Sequence, residues 1–85
     1  MGGGIKSDIT YDLTTDAYGR ANISSLVDDN KAVVYAAATV TGKRAIAVPI
    51  NVGGAVELYI GEVTGSALVP ITSTAVTGTL YYIEL

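Results

Sequence analysis

The chain contains no cysteine, no histidine, no phenylalanine and no tryptophan. Without cysteine no disulfide can staple the fold, and the redox compartment is not legible. Without His or Cys the usual ligands of a transition-metal site are missing, so neither a metal nor a cofactor is expected. The lack of His also removes the base that usually activates a hydroxyl nucleophile, and no Ser-x-x-Lys stands in for it. Positive charge is scarce, with 5 Lys and Arg against 8 Asp and Glu, a formal net charge of −3. Nucleic-acid binding needs clustered cations to displace counterions and is not expected. No apolar run reaches the ~18 residues of a membrane span, so membrane insertion is not expected either. Met1–Lys6 lacks the apolar core of a signal peptide, and Lys6 stands where a myristoylation motif needs Ser or Thr.

What is present points to strands. Val, Ile, Thr, Ala, Tyr and Gly dominate, while leucine, glutamate and lysine are few. That is a strand-forming composition, poor in helix formers other than alanine. The centre of the pattern is Ala32–Ala55, two apolar runs separated by Gly42-Lys43 and closed by Gly53-Gly54. A Gly-first two-residue loop predicts a hairpin with a type II′ turn at Gly42-Lys43. In the second run Ile46, Val48, Ile50 and Val52 alternate with Ala45, Ala47, Pro49 and Asn51. The larger residues are expected to face inward, so Val48→Asp is expected to unfold the domain. In the first run Val34 and Val40 share one face, and Val33 and Tyr35 the other. A strand apolar on both faces needs cover on both sides.

Further strands are predicted in order. Asp8–Thr14 alternates, with Ile9, Tyr11 and Leu13 inward. Asp16 and Gly19 occupy the ends of a type I turn. Arg20–Val27 is a shorter strand, and Asp28-Asp29-Asn30-Lys31 is a polar loop whose Asx residues cap it. Ala55–Thr64 places Val56, Leu58 and Ile60 on one face, and Gly61 marks a bulge or a close backbone approach. Pro70 confines Ala67–Thr72 to an edge or breaks it, and Pro49 imposes the same limit on its own strand. Gly78 is expected to turn the chain into Thr79–Leu85. Turn signals at 42, 53, 65 and 78 recur at the short spacing of an all-β fold. The repeated Val-Thr-Gly at 40, 63 and 76 is repeated turn chemistry rather than a solenoid. The prediction is a small antiparallel β-sandwich of about seven short, hairpin-rich strands over residues 8–85. Residues 1–7 are expected to be a flexible joint to something upstream or an expression remnant. At 85 residues a chain buries only roughly 60–65% of its unfolded surface. Oligomerisation is the staple left to it.

Candidate chemistry is thin. The pairs Asp28/Asp29 and Glu57/Glu62 could suggest a glycosidase, but so short a chain leaves little room for the cleft between two carboxyls. Asp28-Asp29-Asn30 matches no EF-hand spacing and reads as an Asx turn. Six tyrosines are the more informative set. Tyr59 and one of Tyr81 and Tyr82 should face out. Tyr18, in the Asp16–Gly19 turn, is the tyrosine best placed to meet an outside ligand.

Thr14-Thr-Asp-Ala-Tyr-Gly-Arg-Ala-Asn-Ile23, followed by an apolar strand, a Gly-Lys hairpin and the abrupt end Tyr81-Tyr-Ile-Glu-Leu85, resembles the C-terminal tip domains of bacteriophage tail fibres and receptor-binding proteins. The likeness covers roughly residues 9–85. It implies a small β-sandwich that trimerises about a threefold axis, binds a bacterial surface saccharide or protein and belongs to the virion. No binding residues are universal in such domains. The exposed loops make Tyr18, Arg20, Asp28, Asp29 and Asn30 the candidate receptor contacts. Val33, Tyr35, Ala37 and Tyr59 are the candidate oligomer interface. A capsid decoration or other virion assembly protein is the alternative, and a small glycosidase or depolymerase fragment ranks third.

Overall fold

A computed structural model describes residues 4–85, and all the secondary structure among them is strand. Seven strands run β1 (Lys6–Thr14), β2 (Arg20–Asn22), β3 (Lys31–Thr39), β4 (Ala45–Val52), β5 (Ala55–Thr64), β6 (Ala67–Pro70) and β7 (Ala75–Glu84). Every pairing is antiparallel, in the order β1-β7-β3-β4-β5-β2, with β6 also on β5. The protein is therefore all-β, and the facing layers of the expected sandwich belong to one continuous sheet that curls. Connectivity forces the curl. β1 and β2 end the strand order, yet only residues 15–19 join them. Six flat strands would hold those edges about 24 Å apart, whereas the Asp16 N–H donates to the Arg20 carbonyl at 2.8 Å.

The concave side is the core. Leu58, Ile60 and Leu80 are fully buried, with Tyr11, Ile23, Val76 and Ile71 around them. Central β7 carries much of it, setting Leu80 against Ile9 of β1 and against Ala36 of β3. At Gly78 the ring of Tyr11 crosses β7, and its hydroxyl donates to the Ala37 carbonyl on β3 at 2.6 Å. A Cβ at Gly78 would lie 1.9 Å from that carbonyl oxygen and 2.6 Å from the Tyr11 hydroxyl. Gly78 is thus a mid-strand saddle for a tyrosine. The turn expected there lies earlier, around Ser73, whose φ is 50°.

Several local expectations change. The loop after β3 is Thr41-Gly42, closed by the Val40↔Lys43 bridge, with Gly42 second and φ 76°. That suits a type II turn, which needs its positive φ at the second central residue. The Gly-first turn occurs instead at Gly65-Ser66, and Gly53-Gly54, both with positive φ, fits a type I′ turn. β4 alternates in burial over Ala45–Val48, with its faces reversed: Ala47 is 5% exposed and Val48 39%, while Pro49 and Ile50 are both half-buried and Asn51 and Val52 both exposed. Inside the curl Ala47 is registered against Ala36 and against Ile60, so Leu58, Ile60 and Leu80 take the volume that a larger β4 side chain would need. Val48 faces outward, and the expectation that Val48→Asp unfolds the domain falls. The shared face of Val33 and Tyr35 also falls. A bulge at Val34 shifts the register between Val33↔Tyr82 and Tyr35↔Tyr81. Val33 consequently packs on the core while Tyr35, 56% exposed, faces out.

β1 begins at Lys6 rather than at residue 8. Lys6 is registered against Tyr82 and forms an ion pair with Glu84. The part of the expected flexible joint that covers residues 1–3 lies outside the described residues. Leu85 is held at the other end of the chain, where its N–H donates to the Asn30 carbonyl at 2.7 Å.

Candidate functional site

The Asp16–Arg20 turn is built on one carboxylate. Asp16 Oδ1 accepts the N–H of Tyr18 at 2.8 Å and of Arg20 at 3.0 Å, the side-chain capping for which Asp suits turns. The Asp16 carbonyl accepts the N–H of Gly19 and of Ser73. Gly19 anchors the other flank: its carbonyl accepts the Ile60 N–H at 2.7 Å, and a Cβ there would meet Pro70 at 3.0 Å. Its φ of 80° is also one that L side chains rarely adopt. The backbone N–H groups of Arg20 and then Tyr18 hold the Asp16 carboxyl below its ordinary value near 3.8, with the nearby Arg20 charge adding to this. So many bonds immobilise a turn whose tip is Tyr18, 72% exposed.

Arg20 follows on β2 in register with Tyr59 of β5. Its guanidinium carbon lies 5.9 Å from the centre of the Tyr18 ring, within cation–π range. Lys6, Lys31 and Lys43 pair with Glu84, Asp28 and Glu62. Arg20 and Arg44 have no ion-pair partner among the described residues.

From Arg20 a row of outward side chains crosses the sheet. Tyr59 is registered against Val48 and Tyr35 against Tyr81. The Ala36↔Ala47 and Val40↔Lys43 bridges share one register, and continuing it sets Tyr35 against Val48 and Ala37 against Ile46. The row Tyr81–Tyr35–Val48–Tyr59–Arg20 therefore spans five strands, about 19 Å. The Tyr35 and Tyr81 ring centres lie 5.3 Å apart and tilted by 53°, a favourable aromatic arrangement. Ile46 and Leu68, both exposed, extend the apolar area to β6, and Leu68 and Tyr59 close over Gly61. Gly61 is thus a close approach, made by side chains. Of the expected interface residues, Tyr35, Ala37 and Tyr59 share this face and Val33 does not.

The Asp28–Asn30 loop lies apart, at the start of β3. Asp28 Oδ1 accepts the Asn30 N–H at 3.0 Å and its Oδ2 accepts Lys31 Nζ at 3.0 Å. First Lys31 and then that N–H lower its pKa. Asp28, Asp29 and Asn30 thus form an Asx turn away from Tyr18 and Arg20, and the two predicted loops make no single site. Beside the loop β3 and β4 part company, since Ala36↔Ala47 is their one registered pair. The resulting cleft of about 330 Å³ lies between Lys31–Val33 and Pro49–Asn51. Sequence reasoning did not find it. The signals were Pro49, which lacks a ladder donor, and the double-faced pattern around Val34, which hid the bulge.

Searches against family models, curated proteins and solved structures returned no match to this chain. Among the described residues no group of three or more Asp, Glu, His or Cys is placed to hold a metal ion.

Proposed function

We propose that this chain is a non-catalytic adhesive module of a virion, a phage tail-fibre tip that works as a homotrimer and meets a bacterial surface receptor, saccharide or protein. Its outer sheet face is the contact between copies, and the Asp16–Arg20 turn is a contact to the receptor. One observation carries the reading: Tyr35, Ile46, Val48 and Leu68 stand exposed on a sheet whose opposite side already holds the core. Contiguous apolar surface on a small domain marks an interaction site. Weak binding at each copy, multiplied across linked copies, suits adhesion. The cleft between β3 and β4 is walled mainly by Ala32, Val33, Pro49, Ile50 and Val56, an apolar lining that supports the non-catalytic reading.

Binding to intact bacteria tests the reading. The assembled chain should bind host cells saturably and should bind purified capsids no better than a control protein. Binding to capsids alone would move the protein to virion assembly. Release of sugar from a surface polysaccharide by the isolated chain would make it an enzyme.

A further inference from the structure

We infer that Arg20, beside Tyr18 in the Asp16–Arg20 turn, binds the carboxylate of an acidic sugar, so that the receptor is a uronic-acid-type polysaccharide. The inference deepens the adhesive reading and rests on it. Arg20 is one of two cations without an ion-pair partner among the described residues, in a chain with an excess of acids. Asp16, the nearest acid in sequence, turns Oδ1 to two backbone N–H groups and makes no ion pair with Arg20, so the guanidinium fork is open to an outside carboxylate. Guanidinium and carboxylate pair through two parallel hydrogen bonds, stronger and more directional than a neutral pair. A neutral sugar would cover this cation without compensating it.

The flanking surface suits a ring. Tyr18 is 72% exposed on a turn that its backbone bonds hold still, so little freedom is lost when a ligand lies against it. Amphipathic aromatic rings offer an apolar face to the C–H side of a sugar and a hydroxyl to its edge. The turn projects, and the described cleft lies elsewhere, between β3 and β4. A projecting aromatic platform takes a ring laid flat, whereas a protein partner's anchoring side chain needs a pocket.

The experiment is amide chemical-shift titration of the full chain with polygalacturonate and with alginate, each beside its methyl-esterified form. Saturable shifts at Tyr18, Gly19 and Arg20 are expected with the acids. Esterification should weaken binding by about tenfold or more, as should Arg20→Gln, because each removes the charge-assisted pair. Tyr18→Ala should weaken it, and Arg44→Gln, which removes the other unpaired guanidinium, should leave it unchanged. No saturable shift with either polymer overturns the inference. So does equal binding of the esters, or an equal loss in Arg44→Gln, which would mark diffuse attraction. If the chain binds host cells and Arg20→Gln binds them equally, the inference falls and the adhesive reading stands. If it binds no cells, the adhesive reading falls, and the polymer titration still decides the chemistry of Arg20.

Discussion

Gly78 and Tyr11 are coupled, because the ring occupies the space that a side chain on β7 would need. A Cβ 1.9 Å from the Ala37 carbonyl oxygen cannot be absorbed without moving β7, so Gly78→Ala should cost about 3 kcal/mol or more, read from urea denaturation. Tyr11→Phe keeps the packing and loses one hydrogen bond, worth about 1 kcal/mol. The two phenols also set the alkaline limit. Burial pushes Tyr11 up to about 12, and the Tyr82 hydroxyl, donating to Asp8 Oδ1 at 2.7 Å, is likewise pushed up to about 12. A group with a raised folded pKa stabilises the fold fully below its unfolded value, near 10.0, and loses that contribution as pH rises toward 12. The thermal midpoint should therefore fall across that window. Asp16 and Asp28 set the opposite limit. Their lowered values stabilise the fold above the ordinary value near 3.8, and that contribution is lost as pH falls through the folded values. Asp16→Asn should flatten the acid limb of the midpoint against pH, and an unchanged limb would contradict the role given to that carboxylate.

At the level of elements, β7 and β4 show what alternation can and cannot say. β7 joins β1 to β3, and Leu80 at its middle is fully buried. Leu80→Ala should cost about 2–5 kcal/mol by equilibrium denaturation, the range for a core leucine. Most strands, the Gly53-Gly54 hairpin and the inward set Tyr11, Leu58 and Ile60 were legible, because period-two patterning fixes which residues share a face; the strand expected over Arg20–Val27 stops at Asn22, and the chain turns over residues 24–26. Which face is inward is decided by the curl, and β4 breaks the rule that larger side chains go inside. The curl depends on β2 returning beside β5 after one short turn, a long-range fact absent from any local window. The bulge at Val34 was illegible for a related reason. One extra residue reverses the alternation within a strand that is apolar throughout, so Val33 and Tyr35 read as partners when they lie on opposite faces. Of the candidate site, Tyr18 and Arg20 were legible from turn chemistry. The link from Arg20 to Tyr59 needed strand register.

The whole molecule presents one sheet with a full core on its concave side and tyrosines, valine and isoleucine on its convex side. A domain of this size gains much of its security from covering such a face, and copies of the same chain are the cover proposed here. The reversed face of β4 gives the test a clean handle. Val48 is half-exposed at the middle of the tyrosine row, so Val48→Asp should cost the folded chain no more than about 1 kcal/mol, the span of strand preference. The same carboxylate, buried without a partner at a contact between copies, should block assembly. Sedimentation of the wild-type chain and of Val48→Asp at micromolar concentration is the decisive measurement. The account predicts a stable oligomer for the wild type, three chains in the proposed form, and a folded single chain for the variant. A wild-type chain that sediments alone, or a Val48→Asp variant that assembles as the wild type does, would contradict it.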